Sequence, residues 1–288
     1  MRLLAFDVDG QPRLGVRRGQ DVVDLTIAAP DLPRDPVALL AAGPDALARA
    51  RQAADNPPVK AARPADGIVY HPPIWNPRKI ICVGLNYRDH AAEGNFPIPE
   101  FPVYFLRLIS TLVAHQQPLV RPKLSEKFDY EAELVAVIGK GGRHIPEDRA
   151  LEHVAGYSCF NEGSLRDYQM RGPQWTLGKN FDGTGAFGPD FVTADELPAG
   201  AKGLGIRSRI NGQTLQDSST SDMIFDVARL VSEASGVMTL QPGDVFVTGT
   251  PAGVGFARKP RVWMKAGDTV DIEIDGIGTL TNPVIDEA

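Results

Sequence analysis

Residues 128–139, FDYEAELVAVIG, decide how the chain is read. The segment 131–139 reads as a strong strand, with two acids, Glu131 and Glu133, set into an apolar run. Side chains two apart on a strand point to the same face. Two adjacent carboxylates repel, and burying them unpaired costs several kcal/mol. A cation between them resolves the conflict, and oxygen-only ligands suit Mg²⁺, Mn²⁺ or Ca²⁺. The plain alternative is a solvent-facing edge strand.

Outward from this strand, KIICVGL (79–85) is a continuous apolar run of the buried-strand type, and YRDHAAEG (87–94) follows as a short helix. GYSCFNEG (156–163) is another strand, and PEDRALEHVAG (146–156) carries helix signals: an early Pro, early acids and a Gly stop. Residues 221–238 predict an amphipathic helix capped by Ser221, with Ile224, Val227, Leu230 and Val231 on one face. DVFVTG (244–249) and the segment 268–285, turning at Gly276, add strands. Residues 1–27 read as short strands turning at Asp9-Gly10 and Gly19, and 36–54 as two short helices broken at Gly43-Pro44. The proline-rich stretch 55–77 reads as a linker, with a boundary near 72 between a small N-terminal α+β domain (1–72) and a larger domain (73–288). Strands outnumber helices without regular alternation, which predicts a β-rich α+β fold and not a doubly wound sheet.

Composition excludes several classes. At 288 residues with 43% hydrophobic and 23% charged, the chain is an ordinary globular one with material for a large core. No apolar run reaches the ~18–20 residues of a membrane span, and Asp7 and Asp9 arrive too early for a signal peptide. Two cysteines make no disulfide framework, so a cytoplasmic location is expected, with Cys82 and Cys159 as core residues. A net charge of −6 without a basic block argues against nucleic acid as a partner.

Other chemistry-bearing residues cluster near strand ends. Glu162, closing CFNEG, could complete a three-carboxylate site, and Arg166, Asp167 and Gln169 follow it or form an ordinary salt-bridged helix start. His90 and Glu93 are three apart, on one face of a helix. They fit a tuned general base or a plain surface pair. Lys179 lies in a Gly-rich, aromatic-containing loop, and Arg107 sits among apolar neighbours, suited to a substrate carboxylate or to an interface. FDVDG (6–10) imitates a phosphatase motif but runs on as a hairpin. TGTPAGVG (248–255) lacks the Lys-Ser/Thr of a P-loop. No G-x-S-x-G elbow or zinc-type Cys/His spacing occurs.

Six stretches together carry a family resemblance: KIICVGLNYRDHAAE (79–93), DYEAELVAVIGK (129–140), HVAGYSCFNEGSLRDYQ (153–169), QWTLGKNFDGTGAFGP (174–189), TSDMIF (220–225) and PGDVFVTGTPAGVG (242–255). In this order and spacing, residues 79–284 resemble the fumarylacetoacetate hydrolase superfamily. The resemblance implies that family's mixed β-sandwich roll, a homodimer, and Mg²⁺ or Mn²⁺ (Ca²⁺ also being used) held by Glu131, Glu133 and Glu162. It implies His90 and Glu93 as the dyad that orients or activates water, Lys179 and Gln169 near the substrate oxyanion, and Thr250 as a substrate contact. The sequence departs from the family pattern at Asn161-Glu162, where Asp is common in the third ligand position, and at FLRLIST (105–111), where FLKPPS-like sequences are common. The implied activity is metal-dependent hydrolysis of a C–C bond in a 2,4-dioxo acid, an acylpyruvate or a 2,4-diketo-3-deoxy sugar acid, to pyruvate and a carboxylic acid. The alternative is a decarboxylase or isomerase of 2-oxo-dicarboxylates, of the oxaloacetate or 2-hydroxyhepta-2,4-diene-1,7-dioate type, in aromatic catabolism. A non-catalytic metal-stabilised scaffold is the remaining class. Residues 86–100 are expected to act as a lid.

Overall fold

The computed structural model describes residues 1–288. Its centre is the expected strand, Ala132–Ile138, buried at every position and held between Val154–Glu162 and Val245–Val247. Leu134, Ala136 and Ile138 enter one hydrophobic core, while Val135 and Val137 enter another on the opposite side of the sheet. Two covered faces explain the unbroken apolar run, and each Leu, Val or Ile side chain in it contributes roughly 1.5–3 kcal/mol by leaving water.

From this strand the large sheet extends both ways. On one side lie Val245–Val247, Ile80–Gly84 and the edge strand Val103–Arg107. On the other lie Val154–Glu162, Gly185–Thr193, Arg2–Val8, Gln11–Arg18, Asp21–Asp24 and Ala62–Pro64. A second sheet of five strands, Gln213–Ser219, Gly205–Ile210, Thr269–Ile274, Gly278–Asp286 and Leu119–Arg121, packs over one face. The helices Pro36–Ala41 and Pro44–Asp55 cover part of the other. The β-rich α+β class expected from the sequence is the class observed.

The first 72 residues join this architecture directly, because Arg2 and Leu3 pair with Val192 and Phe191. Their opening hairpin turns at Asp9 and Gly10, both at positive φ (55° and 77°), with Asp7 Oδ1 accepting the Gly10 N–H at 2.8 Å. That aspartate cluster therefore makes a turn.

Three local expectations need correction. The stretch 55–77 is no free linker, since Ala62–Pro64 and Tyr70–His71 pair with Asp21–Asp24 and Arg2–Val8. The expected helix over 146–156 is a 3₁₀ segment, Glu147–His153, which passes straight into the strand at Val154. The helix expected from Ser221 begins only at Val227, capped by Asp226, whose side chain accepts from Arg229 N at 3.1 Å. Asn86 takes the preceding backbone out of helical bonding: its O and Oδ1 accept from Ile224 N and Phe225 N, each at 2.8 Å. No helix is long and apolar enough to cross a membrane.

Candidate active site

The pairing of the two central strands sets the acids. Ala132 faces Asn161 in register, and Glu162 N donates to Glu131 O at 3.0 Å. Cross-strand neighbours share a face, so Glu162 joins Glu131 and Glu133 on one side of the sheet. All three are buried, at 3% exposure or less. The strand is central, so the solvent-facing edge alternative does not hold.

Basic side chains meet these acids. Glu131 accepts from Arg166 Nη2 at 2.6 Å and Lys179 Nζ at 2.5 Å, with Ser164 Oγ at 3.0 Å. Burial alone would push its carboxyl up, but Arg166 and Lys179 outweigh burial and hold it down at about 2. Glu162 accepts from Arg107 Nη1 at 2.6 Å. Glu133 accepts only the Gly249 N–H, at 2.5 Å, and burial, then Glu162, then Glu131 push its carboxyl well above the usual range.

These acids do not converge as a finished ligand cage, because Glu131 and Glu162 are turned toward cations. Two observations nevertheless fit a divalent cation. Glu162 Oε2 is buried without a hydrogen-bond partner, and such a group is rare unless an ion or water completes it. Glu133 supplies the second: its buried carboxyl is crowded by Glu162 and Glu131 with one N–H in compensation, and a divalent cation beside the three acids would favour its ionised form.

A cavity of about 220 Å³ opens on this cluster. Glu131, Glu133, Arg166, Gln169, Lys179, His90 and Thr250 line it, so seven polar or charged groups reach one space. His90 Nδ1 lies 2.9 Å from Glu93 Oε1, and the Glu93 carboxylate also takes the Gly253 N–H at 2.9 Å. An ionised carboxylate only accepts, so Nδ1 is the donor of this pair, and the neutral imidazole in that tautomer carries its lone pair on Nε2. Gln169 Oε1 accepts from Arg166 Nη1 at 2.8 Å, and Arg166 Nε is anchored on Asp129 at 2.7 Å. A guanidinium only donates, so Gln169 is fixed with its NH₂ turned away from Arg166. Thr250 Oγ1 accepts from Gln216 Nε2 at 2.8 Å, which leaves its own proton to give.

Arg107 is placed differently from the expectation that it meets a substrate carboxylate. It does not line the cavity. It lies beneath, donating to Glu162, Thr111 and Thr184. Sequence reasoning also undervalued Arg166 and passed over Asp129 and Trp175. Arg166 looked like part of a helix-start salt bridge, but its partners are Asp129 and Glu131, while Asp167 accepts from Ser125 Oγ at 2.6 Å. Asp129, ahead of the two glutamates on the same segment, was the available signal.

This fold and site define a class, and the chain belongs to the fumarylacetoacetate hydrolase family: residues 79–285 match its C-terminal domain. A mitochondrial oxaloacetate tautomerase of Xenopus laevis is 43% identical over 291 residues, covering 99% of this chain and 90% of that protein. The solved fumarylacetoacetate hydrolase of Exiguobacterium antarcticum superposes with a TM-score of 0.86 at 35% identity, covering 100% of each chain. A maleylpyruvate hydrolase of Sphingobium sp. SYK-6, solved with manganese(II) and pyruvate, gives a TM-score of 0.83 at 29% identity, again over 100% of each chain.

Proposed function

We propose that the protein is a divalent-cation-dependent tautomerase of a small 2-oxo-dicarboxylic acid, with oxaloacetate the first candidate. The observation that carries this reading is that His90, with its free Nε2, lines the same small cavity as Lys179 and Gln169. Keto–enol exchange moves one proton from carbon 3 to the 2-oxygen and changes nothing else. His90 Nε2 takes the carbon proton, and Glu93 steadies the imidazolium that results. Lys179 donates to the oxygen that gains charge and supplies its proton, while the Gln169 NH₂ donates a hydrogen bond. Glu131, Glu133 and Glu162 hold the cation, Mg²⁺ or Mn²⁺. When bound, it acts as a Lewis acid that polarises a carbonyl.

This reading is preferred to C–C hydrolysis of an acylpyruvate because the tautomerase relative is 43% identical and the maleylpyruvate hydrolase 29%. Hydrolysis keeps one specific support, the maleylpyruvate hydrolase likeness, and would use His90 to activate water. The exposed apolar side chains Leu106, Leu108, Ile109 and Leu177 on and beside the sheet's edge strand support assembly as a homodimer.

The experiment is to dissolve enol oxaloacetic acid and follow loss of enol absorbance with enzyme and Mn²⁺, with enzyme and chelator, and in buffer with Mn²⁺ alone. Acceleration beyond Mn²⁺ alone that chelator abolishes, with no more pyruvate or carbon dioxide than Mn²⁺ alone releases, is expected. A rate equal to Mn²⁺ alone, together with pyruvate released from acylpyruvates, would replace this reading with the hydrolase.

A further inference from the structure

The cavity has two unlike walls. The polar wall is described above. An apolar wall, which includes Val83, Leu85, Phe96, Phe105 and Trp175, adjoins it, with Lys179 Nζ 5.1 Å from the Phe105 ring centroid. A 2-oxo acid whose carboxylate and oxo group meet the polar wall has this apolar one to receive its remaining carbons.

Trp175 reaches that wall because residue 84 has no side chain. A Cβ built on Gly84 would lie 2.1 Å from Trp175 Cζ3 and 2.5 Å from Cη2, well inside van der Waals contact. Gly84 ends the strand Ile80–Gly84 and pairs in register with Val103 of the edge strand, which fixes its backbone on that side. The indole also stands edge-on to Phe105, with centroids 5.6 Å apart at 67°.

The turn behind Trp175 is tied down as well. Asn180 Nδ2 donates to Thr176 O and Leu106 O, at 2.9 and 3.1 Å, and its Oδ1 accepts the Leu108 N–H at 2.7 Å. One turn after Trp175, Lys179 reaches Glu131. A single short segment thus sets both the ammonium on the polar wall and the indole on the apolar one.

We infer that Trp175, seated on the bare backbone of Gly84, limits the length of the substrate, so that the site takes 2-oxo acids of oxaloacetate size and rejects longer homologues. This rests on the 2-oxo acid reading of the site. Tail length is set by a fixed aromatic wall, and Gly84 and Trp175 act as a matched pair of specificity-determining positions.

The test measures dissociation constants by calorimetry, in Mn²⁺, for pyruvate, 2-oxobutanoate, 2-oxopentanoate and 2-oxohexanoate, which lengthen by one methylene at constant charge, with wild type, Trp175→Ala and Trp175→Phe. An added methylene that does not fit is worth about 10-fold or more. Wild type is expected to lose at least about 10-fold in affinity from 2-oxobutanoate to 2-oxohexanoate. Trp175→Ala should erase most of that ratio while pyruvate affinity changes less than about threefold, and Trp175→Phe should restore part of it. Gly84→Ala should alter the ratio in wild type and be neutral in Trp175→Ala, where there is no ring to strike. An unchanged ratio in Trp175→Ala, or a Gly84→Ala effect of equal size in both backgrounds, overturns the inference. The two readings fail differently. Length selectivity without tautomerisation removes the activity alone. Tautomerisation with unchanged selectivity in Trp175→Ala removes the length limit alone. Absence of binding for every acid removes both.

Discussion

Arg107 Nη1 stands 2.6 Å from Glu162 Oε1, and both side chains are fully buried. Thr111 and Thr184 take further Arg107 donors, so the guanidinium is satisfied within the protein. Glu162 is not, because its Oε2 has no partner. The pair presents one free carboxylate oxygen to the carboxylate cluster. Removing one partner of a buried ion pair leaves an uncompensated charge and costs about 3–5 kcal/mol. Arg107→Met should lose stability on that order, and Mn²⁺ should stabilise it more than wild type, since the cation then takes over part of Arg107's role. Denaturant unfolding with and without Mn²⁺ checks this, and equal Mn²⁺ effects in the two proteins would place the cation elsewhere.

Glu133 gives a prediction of opposite sign. Its carboxyl is buried beside Glu162 and Glu131, with a single backbone N–H in compensation. Glu133→Gln keeps the shape and removes the like-charge crowding. In chelator the variant should therefore melt higher than wild type. In Mn²⁺ the order should reverse, because a ligand that binds only the native state at about 100 times its dissociation constant contributes about 2.7 kcal/mol, and the variant forfeits most of that. Paired melting curves in chelator and Mn²⁺ read both effects, and a variant that melts lower in both would contradict the crowding.

The His90–Glu93 pair makes a kinetic prediction. His90→Asn should lower kcat by about 10²–10⁴, the usual worth of a positioned base. Glu93→Gln should also cost about 10²-fold or more, because an amide can donate to Nδ1 and so put the ring proton on Nε2, the wrong atom. Neither substitution opens a buried cavity, since both side chains are partly exposed. Melting temperatures near wild type are therefore expected alongside the lost turnover. Near-normal kcat in His90→Asn would remove the residue from the mechanism.

The sequence disclosed what depends on near neighbours. Glu131 and Glu133 could be placed on one face because the two-residue period of a strand is local, and the unbroken LVAVI run already implied two covered faces. The pairing of Arg166 with Asp129 was not legible, because 37 positions separate them and a helix-start arginine has closer acids to choose from. Arg107 stands among apolar neighbours in sequence, which leaves a substrate carboxylate and an interface both open, and its partner, Glu162, is 55 positions away, beyond what local spacing encodes. The late start of the helix at Val227 has the same origin: Asn86, from a different element, takes the backbone amides that Ser221 was expected to commit to a helix. Trp175 on Gly84 is a contact between a loop and a strand that no periodicity encodes.

His115 carries a pH prediction remote from the site. It packs edge-on to Tyr70, with ring centroids 4.7 Å apart, and its Nδ1 accepts the Thr281 N–H at 3.0 Å. Burial pushes its pKa down from the ordinary 6.5 to about 4, with nearby Asp190 opposing and Arg17 assisting. In the window between those values the unfolded chain binds a proton that the native protein refuses, so stability falls as pH falls. The contribution is complete above pH 6.5, is lost progressively toward pH 4, and amounts to about 3 kcal/mol at most. Carboxylates add their own acid losses, so the variant must isolate this one. His115→Asn keeps an acceptor for Thr281 N and cannot be protonated. It should be less stable than wild type near neutral pH, where the Tyr70 contact is missed. The gap should narrow, or invert, as pH drops toward 4. Urea unfolding of both proteins across that range measures the gap directly, and parallel curves would mean that His115 gains its proton as readily in the folded protein as in the unfolded chain.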